Sequence, residues 1–190
     1  ASIVVGMRQL EDIVARIAKR DPLRTEATLQ ADIRSFILGA CLNIVEGQIR
    51  DVQMESQLGD GSKRRIDIEA GNTVIEVKRS LNSPSVLSGA EQQLAGYLHQ
   101  RTEQTDNRYM GVLTDGRQWL LYIPDPAGNR VIRAGKPLIV SGADDTERLR
   151  YWLGTVLATE QNLKPTGEAL VRELGADSPA FAADHETLVA

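Results

Sequence analysis

The stretch from Arg64 to Ser80, RRIDIEAGNTVIEVKRS, holds two short runs in which apolar residues alternate with charged ones about a Gly71-Asn72 pair. A period of two is the repeat of a β-strand, whose successive side chains leave opposite faces. A two-residue Gly-Asn link suits the primed turns that close β-hairpins. The run therefore predicts a hairpin with Ala70 opposite Thr73, Glu69 opposite Val74, Ile68 opposite Ile75 and Asp67 opposite Glu76. Ile66, Ile68, Ile75 and Val77 would share one face, turned to a core, and Arg65, Asp67, Glu76 and Lys78 the other.

Directly opposed residues on paired strands have Cβ atoms roughly 4.5–5.5 Å apart, and like charges at that spacing repel. Two arrangements relieve the repulsion between Asp67 and Glu76. In one, Arg65 and Lys78 neutralise both acids as a solvated charge ladder. In the other, a divalent cation sits between the carboxylates. Hard cations such as Mg²⁺ take one or two carboxylates together with waters and substrate phosphate. Lys78, one pleat along, would then orient a water or stabilise charge developing on a phosphoryl group. On the residues alone both arrangements stand.

The flanking chain supplies helices and further strands. Met7 to Arg20 carries apolar residues at helical spacing and stops at Asp21-Pro22. Thr25 is an N-cap for a second helix with Leu29, Ile33, Phe36, Ile37, Cys41 and Ile44 on one stripe. Glu26 falls in its first turn, where the helix dipole favours an acid. Val52 to Leu58 reads as a strand. A helix is expected from about Ser85 to Arg101, followed by a hairpin about Asp115-Gly116 in YMGVLTDGRQWLLYI, with Trp119 in the core. Pro124 to Lys136 reads as a loop and Leu138 to Val140 as a short strand. Asp144-Asp145-Thr146 caps a last helix that turns Leu149, Trp152, Leu153, Val156 and Leu157 inward. The order predicts an α/β class, or α+β by a stricter accounting, with a mixed sheet flanked by helices. A right-handed parallel crossover is expected between the strand at Thr73–Arg79 and the one at Tyr109–Thr114.

Residues 1–164 fit one domain, and 165–190 read as a linker or tail leading to something further in a larger parent. The 42% hydrophobic and 25% charged content can build a real core. No run approaches the roughly 18 apolar residues of a membrane span. The single cysteine, Cys41, excludes a disulfide framework and makes a reducing cytoplasm the expected location. His99 and His185 are too scattered for a zinc site. The net charge of -4 argues against a dedicated nucleic-acid binder, but leaves room for an enzyme with acidic catalytic residues and a basic rim. Lys63, Arg64, Arg65, Lys78 and Arg79 form such a rim around the hairpin.

An acid on one strand followed by Glu-x-Lys on the next, here Asp67 and Glu76-Val77-Lys78, resembles the PD-(D/E)xK nuclease superfamily. Glu26 heads the long helix before the core strands, where many members carry an acid that completes a metal site; Glu46 and Glu55 are other candidates for that role. Gln93 and Tyr97, four apart on one helix side, resemble the Gln-x-x-x-Tyr element of the RecB-like branch. GVLTDGRQWLLY is similar to the strand-turn-strand that follows that helix in N-terminal nuclease domains of type I restriction motor subunits and related defence proteins. The resemblance spans roughly Thr25 to Ile123, so the nuclease core is expected at about 25–123. Ile66 stands where the family's proline precedes the acid.

The resemblance implies a restriction-endonuclease-like fold and Mg²⁺-dependent hydrolysis of DNA phosphodiesters, with Mn²⁺ able to substitute, in a restriction or anti-phage defence protein. It implies Asp67, Glu76 and the backbone carbonyl of Val77 as metal ligands, and Lys78 as the residue that positions the attacking water. Glu26 would anchor the metal or its water, and Gln93 would orient Lys78 or the phosphate. Lys63, Arg64, Arg79 and Arg101 are candidates for DNA-backbone contacts. Sequence specificity or motor activity would come from further domains or subunits. The rival expectation is a catalytically silent nuclease fold that serves binding or protein interaction.

Overall fold

Helix α1 (Met7–Ala18) buries Leu10, Ile13, Val14 and Ile17 along one side, the spacing of a helix lying on a core. The computed structural model describes residues 6–40, 42, 53–57, 65–106 and 109–157, with backbone alone for 53–57 and 65. Helix α2 (Glu26–Gly39) starts where Thr25 Oγ1 accepts the Thr28 amide at 3.1 Å, and it buries Leu29, Ile33, Phe36 and Ile37. Cys41 and Ile44, expected on the same stripe, lie outside the described residues.

Six strands follow in chain order: β1 (Gln53–Gln57), β2 (Arg65–Ala70), β3 (Thr73–Val77), β4 (Met110–Thr114), β5 (Gln118–Pro124) and β6 (Val131–Ile139). They form one sheet in that same order. Every neighbouring pair is antiparallel except β3–β4, which is parallel and joined by helix α3 (Pro84–Thr105). Pro84 opens α3 in the position where a missing N–H costs nothing. A 3₁₀ turn at Ala143–Asp145 leads into α4 (Thr146–Leu157), with all five expected inward residues buried. The protein is thus of the α/β class, a mixed sheet flanked by four helices.

β6 departs from expectation, since the segment read as a loop followed by three strand residues is a nine-residue strand. Its pairing with β5 shifts between Trp119 and Leu121, which face Leu138 and Ala134. Gly135, at φ 71, and Pro137 sit in the irregularity. A bulge on an edge strand accommodates both residues, one with positive φ and one without an N–H, so their loop-like composition misleads.

Helices cover both faces of the sheet. On one, Ile68, Ile75, Val77, Val112, Trp119 and Leu121 pack with α1, α2 and α4. On the other, Val74, Leu113, Leu120 and Tyr122 pack with α3. Trp119 is wholly buried as expected, edge-on to Trp152 with ring centroids 6.1 Å apart, and its indole N–H donates to Gly116 O at 3.1 Å. Such a pair adds about 0.5–1.5 kcal/mol beyond burial. Ile66 does not keep company with Ile68 but joins the α3 side, so β2 changes its facing at Asp67. Among the described residues no helix is long and apolar enough to cross a membrane. The tail at 165–190 lies outside them.

Candidate functional site

The hairpin has the expected register, with Ala70–Thr73, Glu69–Val74 and Ile68–Ile75 as partners. The β2–β3 ladder ends there, although β2 continues beside β1 through Ile66 and Arg65. Where the next bond would form, the Val77 amide instead donates to Asp67 Oδ2 at 2.8 Å. The Asp67 carboxylate therefore occupies the place of a backbone carbonyl between two parting strands.

Past this point the exit of β3 is held amide by amide. Lys78 N donates to Thr114 O at 2.9 Å, Arg79 N to Glu26 Oε1 at 3.1 Å and Leu81 N to Asp115 Oδ2 at 3.0 Å. Asp67, Glu26 and Asp115 thus each spend a carboxylate oxygen on one backbone segment. Glu26, the first residue of α2, is carried to the site by the helix end that Thr25 caps. Asp115 also accepts the Arg117 and Gln118 amides with Oδ1, so a single side chain closes the β4–β5 turn and pins the segment after β3.

The side chains that point toward α3 form a short chain of contacts. The Lys78 ammonium donates to Glu76 Oε1 at 2.6 Å and to Gln93 Oε1 at 3.3 Å. The Gln93 amide donates to the Tyr97 hydroxyl at 2.8 Å, which fixes which way Gln93 points. Tyr97 is buried among α3's apolar residues and also serves as that anchor. Burial raises its pKa, with the Gln93 bond opposing.

Glu76 is 1% exposed, because α3 covers the face on which a solvated charge ladder would need water. The solvated form of the charge ladder is therefore not seen at Glu76, although its Lys78–Glu76 pair is formed. The second carboxylate oxygen of Glu76, Oε2, is buried with no hydrogen-bond partner. Burial first, and the charge of Asp67 second, push its pKa up to about 7, against the pull of Lys78. For Lys78 burial acts to lower the pKa but is outweighed by the bond and charge of Glu76, then by Asp67 and Glu26, and the net shift is upward.

Asp67 and Glu76 present hard carboxylate oxygens, and an unpartnered buried oxygen within electrostatic reach of a second acid is chemically suited to a divalent cation. Among the described residues, however, no three His, Cys, Asp or Glu side chains gather as a cation site. Glu26 lies within electrostatic reach of Glu76 and is bound to the Arg79 amide. Glu55 belongs to β1, whose side chains are not described, and Glu46, Lys63 and Arg64 lie outside the described residues. The structure ties down Val77 through its amide, whereas its carbonyl was the expected ligand.

Of the expected DNA contacts, Arg79 is exposed beside the site, its guanidinium donating to Pro22 O at 2.7 Å. Arg101 lies two turns along α3 from Gln93 and is paired with Glu69. Asp115 was legible only as half of a turn signal. The cue to its wider role is that a short acid at a turn bonds nearby backbone amides. No protein-family model, curated protein or solved structure matches the chain.

Proposed function

We propose that this chain is a metal-dependent deoxyribonuclease domain of the PD-(D/E)xK kind, acting in the cytoplasm within a restriction or anti-phage defence protein. One observation carries the reading: a buried glutamate, Glu76, has one oxygen on Lys78 and the other unpartnered, with Asp67 alongside. A strand that only needed to pack would not bury an unsatisfied carboxylate, which costs several kcal/mol when left uncompensated.

In this reading Asp67 and Glu76 would hold the cation, Mg²⁺ or Mn²⁺, beside the scissile phosphate. The bound cation supplies charge neutralisation at the scissile phosphate and favours a hydroxide-like water. Lys78 orients the attacking water and stabilises charge on the phosphoryl oxygens. Gln93, aimed by Tyr97, holds the Lys78 ammonium in place. Glu26 sets the position of Arg79 through its amide and is the third acid nearest the pair. The basic residues beside the hairpin contact the DNA backbone without reading sequence.

One observation favours the silent-module alternative, namely that only two acids converge among the described residues. Nicking of supercoiled plasmid with Mg²⁺ or Mn²⁺ separates the two. Wild type should cut, and Glu76→Ala and Lys78→Ala should lose about 100-fold or more in rate while their circular dichroism stays native. A wild type that cuts neither DNA nor RNA with either metal would defeat the enzymatic reading.

A further inference from the structure

Between α1 and α2 the chain makes a short turn, Lys19 to Arg24, whose apex Leu23 is 89% exposed. Isolated exposed leucines are ordinary on protein surfaces, but this one is presented by a firmly braced turn. Leu23 N donates to Asp21 Oδ1 at 2.9 Å and Arg24 N to Asp21 O at 3.1 Å. The Arg24 guanidinium donates to Arg16 O at 2.7 Å and Ile17 O at 2.8 Å, which ties the turn to the end of α1. Arg79, the residue after Lys78, donates to Pro22 O at 2.7 Å. The braces fix the backbone of the turn and couple it to the exit of β3.

Basic residues outnumber acids on the exposed surface around Leu23, where Asp21 is also exposed. Lys19, Arg20 and Arg79 are exposed. The acids nearest in the chain are turned to backbone amides, Asp21 to Leu23 N and Glu26 to Arg79 N. A protein partner would call for contiguous apolar area. The other exposed large apolar residues, Val86, Ile132, Ile139 and Tyr151, belong to other elements, and Met7 is at the far end of α1. An exposed apolar side chain on a braced turn, with exposed cations close by, matches the way proteins enter duplex DNA, by a wedge at a base step with phosphates gripped on either side.

We propose that the α1–α2 turn is a duplex-DNA contact in which Leu23 is the wedge and Lys19, Arg20 and Arg79 grip phosphates, placing a distorted base step next to Lys78. This rests on the nuclease reading. It is tested by binding alone, with the whole chain and a labelled duplex in chelator, so that no cutting is needed. Lys19→Glu/Arg20→Glu should weaken binding about 10-fold or more and reduce the slope of log affinity against log salt by about 2. Lys19→Ala/Arg20→Ala should do the same more weakly. Leu23→Ala should leave the thermal midpoint unchanged, weaken binding a few-fold, and abolish the brightening of a 2-aminopurine base that wild type produces.

The proposal is overturned if the charge variants bind like wild type, if Leu23→Ala still brightens the probe, or if wild type binds no duplex. It is also overturned if wild type self-associates without DNA and Leu23→Ala does not, which would assign the apex to a second copy. Plasmid nicking with charge-independent binding removes this contact and leaves the nuclease reading intact. Binding that depends on Lys19, Arg20 and Leu23 without any nicking supports the contact and removes the nuclease reading.

Discussion

Glu76 holds the Lys78 ammonium at 2.6 Å with one carboxylate oxygen while its other oxygen is buried and unpartnered. This sets a pH dependence whose sign follows from the direction of the shift. Burial and Asp67 raise the Glu76 pKa to about 7 from its ordinary 4.5, so the folded chain binds this proton more tightly than the unfolded chain. The stability it contributes is complete below the ordinary value and is lost as pH rises through about 7. A shift of this size is on the order of 3 kcal/mol. The thermal midpoint of wild type should therefore fall from about pH 5 to about pH 8 more steeply than that of Glu76→Gln, as calorimetry would record. Parallel curves would show that Glu76 does not titrate in this window.

On the proposed metal-binding reading, the same oxygen would give a metal-dependent stability. Glu76 is ionised and most receptive above pH 7, and a ligand bound only by the folded state raises the midpoint by mass action. Mn²⁺ at about 100 times its dissociation constant adds about 2.7 kcal/mol. Thermal scans at about pH 8 should show this increase in wild type, a smaller one in Asp67→Asn and none in Glu76→Gln. Equal increases in all three would place the ion elsewhere.

Asp115 is 7% exposed and accepts three backbone amides, those of Leu81, Arg117 and Gln118. Hydrogen bonds to an ionised acceptor contribute about 1.5–3 kcal/mol each, and stranding their donors costs more. Asp115→Ala should lower stability by about 3 kcal/mol or more. Asp115→Asn should be milder, because its Oδ1 still accepts from the turn while an amide group now meets Leu81 N. Denaturant melts would order the three proteins. In nicking assays Asp115→Asn should lower kcat more than it changes KM, because the segment it anchors carries Lys78.

The hairpin and its register from Ala70–Thr73 to Ile68–Ile75 were legible because period-two alternation and Gly71-Asn72 are local signals, but the expected pairing of Asp67 with Glu76 does not form, since the ladder ends before it. The parallel β3–β4 crossover was legible for the same reason, in strand, helix and strand patterns of ordinary length. What decides the chemistry was not local. Whether Glu76 faces water or α3 depends on where a helix beginning eight residues later lies, and alternation cannot distinguish a solvated face from a covered one. The change of facing at Asp67 likewise arises from β2 parting from β3, a tertiary event. β6 was hidden by Gly135 and Pro137, whose local preferences are those of loops but which a bulged edge strand tolerates. The gathering of three carboxylates on the amides of Val77, Arg79 and Leu81 joins residues up to 53 apart in the chain, as Glu26 and Arg79 are.

Gly116, in the β4–β5 turn, lies hard against the end of the first helix. Its φ is 89, and a Cβ built there would lie 2.2 Å from Ile17 O, the same oxygen that accepts from Arg24. Backbone in this region is strained for any residue with a side chain, and a carbonyl already engaged cannot move away. Gly116→Ala should cost roughly 3 kcal/mol or more, whereas Gly128→Ala, with nothing nearby, should change little. Comparing the two melting midpoints checks the assignment, and a Gly116→Ala as stable as wild type would mean that α1 shifts freely.

Arg101 separates a structural role from DNA contact. Its guanidinium is bound to Glu69, which is 8% exposed and also accepts the Tyr109 hydroxyl at 3.1 Å. Burial, then the charge of Glu69, pushes the Tyr109 pKa up to about 12. Removing one partner of a buried pair strands the other's charge at a cost of about 3–5 kcal/mol, whereas replacing both by apolar groups is often nearly neutral. Arg101→Ala should therefore melt well below wild type, and Arg101→Met with Glu69→Leu should recover most of the loss. Duplex affinity at a temperature where all three are folded should be unchanged, since a guanidinium committed to Glu69 is not offered to phosphate. A 10-fold loss of affinity with an unaltered midpoint would reverse the assignment and make Arg101 a backbone contact.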